Sequence, residues 1–157
     1  MSGNMTAEDG DILHQRQPDQ KTCVSACIAM ALGKPIEEVI EEFHGEYMAR
    51  CCRASEYLSK KGMLCREIAM VDNTLMKGCM YILCVPSLNH QGGFHVVLGD
   101  TRDGDVTVYD PQKGNEGKKY YSRTGSEDDL AVMCKYFIIE VEILGYHDKP
   151  AEKKDDG

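Results

Sequence analysis

Long apolar runs are missing from this sequence of 157 residues. No stretch approaches the ~18 apolar residues that a membrane-spanning helix needs. Met1 to Ile12 is polar and acidic and carries no apolar core of a secretion signal. These two absences lead to the expectation of a cytoplasmic protein with no membrane partner and reduced cysteines. A basic surplus is lacking as well. The chain has 18 Lys and Arg against 26 Asp and Glu, for a formal net charge of −8. Such a chain repels phosphate backbones and anionic lipid, so nucleic acid is not expected as a partner either. Paired cysteines are the third lack. Cys23, Cys27, Cys51, Cys52, Cys65, Cys79, Cys84 and Cys134 form no CxxC frame, which argues against both a disulfide framework and a zinc ribbon. Repeats and linker-like stretches are absent too. The reading is one domain over residues 12–144, with a flexible arm at 1–11 and a charged tail at 145–157.

The residues present are those of an ordinary globular domain, 42% hydrophobic and 28% charged. Everything turns on Gln17-Pro18-Asp19-Gln20-Lys21-Thr22-Cys23, a polar loop that enters an apolar run ending at Gly33. From Cys23 onward the pattern predicts a buried helix that Gly33 stops. Pro35 opens a second helix, Ile36 to Phe43, whose apolar residues keep helical spacing. A third spans Ala54 to Lys61 and stops at Gly62. Strands are then predicted over Met63 to Val71, Cys79 to Val85, Phe94 to Leu98 and Val106 to Tyr109. Turns fall at Asp72-Asn73 and Asp103-Gly104. A short helix is expected at Glu127 to Cys134, a last strand at Tyr136 to Leu144, and a short leading strand at Ile12 to Arg16. Helices first and strands after describe an α+β domain, with a mostly antiparallel sheet packed on the Cys23 helix.

That order places one set of reactive groups together. Cys23 sits at a helix start, where open backbone N–H groups and the dipole favour the thiolate, the nucleophilic form. Gln17, six positions upstream, carries an amide able to donate to an oxyanion. His95 begins a strand after Gly92-Gly93, and Asp110 ends the next strand, fifteen positions on. A hairpin turning near Asp103-Gly104 brings the two to one side, where Asp110 can hold one imidazole nitrogen and leave the other for Cys23. Each residue has a plainer role available: cysteine as core packing, histidine as a satisfied strand residue, Asp-Pro as a turn starter. Cys27 is a second nucleophile candidate one turn deeper, His90 a rival base and Gln15 a rival donor. Metal binding by Cys23, Cys27, Cys51, Cys52 and His44 is a further alternative, with spacing unlike that of zinc sites.

The order Gln17, Cys23, His95, Asp110-Pro111 resembles that of papain-like cysteine peptidases, in particular the C39-like, double-glycine branch. Gly114 matches a glycine often found after the Asp-Pro, and Val96 fits the residue after the histidine. Val24 and Thr22 depart from the residues usually flanking the cysteine. The resemblance implies a papain-like fold and a thiol peptidase. Cys23, His95 and Asp110 would be catalytic, Gln17 would serve the oxyanion hole, no metal or cofactor would be used, and a protein or peptide would be the substrate. A deamidase or acyltransferase uses the same chemistry. A catalytically degenerate binding module would keep the fold alone.

Overall fold

A computed structural model describes residues 12–67 and 74–146. The chain is a mixed α+β structure built around one buried helix. Helix α1 spans Cys23–Leu32, and nine of its ten residues are buried, Cys23 being the exception. A helix that is apolar all round must be covered on every side. Gly33 ends it in the left-handed conformation, φ 71°, which costs glycine nothing and orders the Gly33 and Lys34 N–H groups back onto Met30 and Ala29.

The second helix runs longer than its periodicity suggests. It starts as α2 (Ile36–Val39), passes through a π turn at Ile40–His44 and continues as α3 (Gly45–Met48). The wider turn carries Phe43, which is fully buried, stacks on Tyr47 and meets Tyr57 at a tilt, with ring centres 5.0 Å apart in each pair. Helix α4 follows at Ala54–Lys60, close to the expected span.

Seven strands follow among the described residues. They are β1 (Met63–Arg66), β2 (Met80–Pro86), β3 (Phe94–Asp100), β4 (Thr107–Tyr109), β5 (Tyr120–Ser122), β6 (Ala131–Met133) and β7 (Ile138–Tyr146). Five form an antiparallel sheet in the order β1-β7-β2-β3-β4, and β5 pairs with β6 in parallel. The antiparallel majority agrees with the sequence reading. The insertion of β7 between β1 and β2 does not follow from chain order. Strand β2 is central and reads as a near-continuous apolar run because both its faces are covered. Met80 and Ile82 face the α1 core, while Tyr81, Leu83 and Val85 belong to a second cluster with Val97, Tyr121 and Ile139.

Two expectations need correction, and one strand was missed. Ile12 to Arg16 forms no strand. Its polar groups are taken up by loops instead: the Gln15 amide donates to the Lys34 carbonyl at 2.6 Å and accepts from Ile36 N–H at 2.8 Å. Glu127 to Cys134 is not a helix. Asp128 turns the chain there, its carboxylate accepting from Leu130 N–H and Tyr120 hydroxyl at 2.8 and 2.9 Å, and residues 131–133 leave as β6. Strand β5 went unread. The expected turn at Asp72-Asn73 and the end of the strand at Val71 lie outside the described residues. The arm at 1–11 lies outside them too, as does all of the charged tail except its first two residues.

Candidate active site

The site forms where the N-terminus of α1 meets the open end of the β3–β4 hairpin. Thr22 precedes the helix, yet its side chain caps no helical N–H. Its hydroxyl turns back to Asp19, accepting from the backbone N–H at 3.3 Å and lying 3.1 Å from the carbonyl. The first helical tie is Ala26 N–H to Thr22 carbonyl at 2.9 Å. The N–H groups of the opening turn, Cys23 among them, therefore have no intrahelical acceptor.

Strand β4 leaves the ladder at Tyr109, opposite Leu98, and Asp110 is the next residue. Its carboxylate is only 1% exposed, and a buried charge is tolerable only when its lone pairs are filled. They are filled from three sides. His95 Nε2 lies 2.6 Å from Oδ1, Gln112 N–H donates to Oδ1 at 2.8 Å, and Tyr121 N–H donates to Oδ2 at 2.7 Å. With Nε2 engaged, Nδ1 is the nitrogen left for Cys23, whose thiol is near enough to raise the imidazole's pKa. Burial alone would lower the His95 pKa. The hydrogen bond and charge of Asp110, joined by those of Cys23, reverse that and raise it from 6.5 to about 9. Asp110 thus holds His95, and Cys23 acts on the same imidazole.

Gln17 is held on the same loop. It is 1% exposed, its backbone N–H donates to the Pro111 carbonyl at 2.9 Å, and its carbonyl accepts from Asn115 Nδ2 at 3.2 Å. The side-chain amide gives one proton to the Asp19 carbonyl at 2.8 Å. Its oxygen is buried without a partner. One amide proton remains for another acceptor. Gly114 closes the facing loop at φ 95°, with Arg16 Cδ 3.4 Å from where a Cβ would stand. His14 adds a tie from its Nε2 to the Asp110 carbonyl at 2.8 Å. Three contacts thus strap residues 14–17 onto the Asp110 loop.

The rival residues lie elsewhere. Cys27 is fully buried, its thiol donates to the Val96 carbonyl at 3.6 Å, and burial raises its pKa well above the ordinary thiol value. Gln15 is committed to the α1–α2 junction. His90 is exposed in the β2–β3 turn, where its backbone N–H donates to Ser87. No three His, Cys, Asp or Glu residues among those described gather as a metal would require.

Cys23 opens onto a cleft of about 360 Å³, floored by Val24, Ile82, Val96 and Val141 and edged by Tyr47 and Glu140. Sequence reasoning missed this cleft. It also missed His14 and the two backbone donors on Asp110. The Gln112 donor, two residues after an aspartate, is an ordinary Asx turn and was legible. The Tyr121 donor comes from a strand that only folding brings near.

Comparison of the chain with protein-family models, curated proteins and solved structures gives no match. No helix among the described residues is long and apolar enough to cross a membrane.

Proposed function

We propose that this protein is a cysteine peptidase of the papain-like, C39-like type that hydrolyses a peptide or isopeptide bond. The observation carrying the proposal is the buried imidazole of His95, held by Asp110 at 2.6 Å on one nitrogen, with Cys23 near enough to raise its pKa. A histidine with its pKa raised to about 9 is protonated at neutral pH. Beside a thiol, it is the acid half of a thiolate–imidazolium pair.

The chemistry then runs in two halves. The Cys23 thiolate attacks the substrate carbonyl carbon, a C–S bond forms and the carbonyl electron pair moves to oxygen. That oxyanion is met by the open Cys23 N–H and by the free amide proton of Gln17. Collapse breaks the C–N bond, and the leaving amine takes its proton from His95. His95, now neutral, removes a proton from water, which attacks the thioester. The second collapse releases a carboxylic acid and returns the thiolate. Asp110 keeps the ring oriented and stabilises its charge throughout.

A degenerate peptide mixture, digested and sequenced by mass spectrometry, tests this. New termini are expected from the wild type, with none from His95→Ala and none from Cys23→Ser at nearly unchanged thermal stability. Cleavage that persists in Cys23→Ser refutes the proposal. So does a wild type that cleaves nothing.

A further inference from the structure

We infer that Glu140 is a specificity carboxylate that selects a Lys or Arg side chain next to the scissile bond; the inference rests on the peptidase reading above. Strand β7 runs antiparallel to β2, with Ile139 opposite Leu83 and Val141 opposite Ile82. Two steps on β7 thus match one step on β2, and Glu140 is the extra residue of a β-bulge. Bulges of this kind recur beside functional sites because they re-aim a side chain. The effect on the neighbours is visible. Ile139 packs in the cluster around Tyr81 and Leu83, whereas Val141 joins the α1 core on the other face. A regular strand would set residues 139 and 141 on the same face.

The bulge delivers the Glu140 side chain to the cleft that holds Cys23, between Cys84, Tyr47 and Val141. Its charge is felt by both Tyr47 and Cys84, which also feel Cys23. Two cations also line that cleft. Arg53 is neutralised by Glu67 at 3.1 Å, and Ser55 donates to the same carboxylate at 2.7 Å. Lys21 stands two residues before Cys23 and forms no ion pair with Glu140. Among the described residues no donor takes up the Glu140 carboxylate. An unpaired carboxylate beside an apolar floor of Val24, Ile82 and Val96 fits one substrate chemistry. The methylene stem of Lys or Arg lies on the floor, and its cationic head reaches the carboxylate. A chain of net charge −8 favours the approach of such a substrate as well.

The test is the same degenerate peptide digest, read for the residues flanking each new terminus, with wild type and Glu140→Gln. Wild type should enrich Lys and Arg at one flanking position by about two- to fivefold, the effect of a single ion pair at a half-open surface. The enrichment should shrink as NaCl rises from about 0.02 M to about 0.5 M. Glu140→Gln should lose the enrichment, keep its melting temperature and keep the wild-type rate of Cys23 alkylation by iodoacetamide. Glu140→Lys should favour Asp and Glu instead. Wild-type cleavage without basic enrichment, or enrichment that survives in Glu140→Gln, overturns the inference and leaves the peptidase reading standing. No cleavage by wild type overturns both.

Discussion

Replacing Asp110 by Asn changes one atom in a site where neither amide orientation can satisfy every neighbour. Oδ1 now receives His95 and Gln112 N–H, and Oδ2 receives Tyr121 N–H. If the Asn amino group takes the Oδ2 position, it faces the Tyr121 N–H. Flipped, it faces Gln112 N–H and the imidazole. Either way a buried donor loses its acceptor, which costs about 1–3 kcal/mol. The lost charge has a second effect, on His95. Its rise from 6.5 to about 9 corresponds to about 3 kcal/mol as an upper bound, with Asp110 and Cys23 as the two sources. The folded-state pKa is raised, so this stabilisation is complete below about pH 6.5 and is lost as pH climbs through about 9. Half-buried thiols such as Cys134, pushed up to about 11, also weaken the fold in alkali. They are common to both proteins and largely cancel in a difference. Urea unfolding of wild type and Asp110→Asn, at about pH 6 and about pH 9.5, gives the measurement. The stability gap between them should be larger at the acid end and narrow at the alkaline end. An NMR titration of His95 should move from about 9 toward lower pH in the variant. A gap independent of pH, or an unmoved titration, would falsify the claim that Asp110 charges the imidazole.

Five further variants test the same geometry. Cys23→Ser should abolish turnover at nearly unchanged stability. Cys27→Ser should retain turnover but lose about 1–3 kcal/mol, since it buries a hydroxyl whose only placed acceptor is the Val96 carbonyl; urea midpoints separate the two. Gln17→Ala should lower kcat by about 10²–10³ with little change in KM. Gln15→Ala should leave kcat alone and reduce stability, because it breaks both bonds to the α1–α2 junction. Cys23→Ser combined with His95→Ala should be no slower than either change alone, since residues acting as one unit are not additive; a product of the two losses in steady-state kinetics contradicts that.

Local chemistry made much of this protein readable before any fold was known. Gly33 terminates α1 because only glycine enters the left-handed region freely, and Pro35 starts the next helix where its missing N–H is harmless. Asp103-Gly104 announces the hairpin, and a hairpin of that length brings residue 110 back beside residue 95. The His95–Asp110 pair is therefore nearly a property of sequence, being separated by one turn. Tertiary structure decided what depends on long closures. Strand β7 sits between β1 and β2, and β5 meets β6 in parallel, because apolar faces far apart in the chain need covering. The bulge at Glu140 arises from the match of β7 to β2, so no reading of β7 alone could place that carboxylate in the cleft. The strap of His14 and Gln17 on the Asp110 loop, and the Tyr121 N–H on its carboxylate, likewise join residues distant along the chain. Turn and cap signals act over a few residues and leave a mark in the sequence. A backbone donor has no residue identity, so its arrival at a carboxylate leaves none.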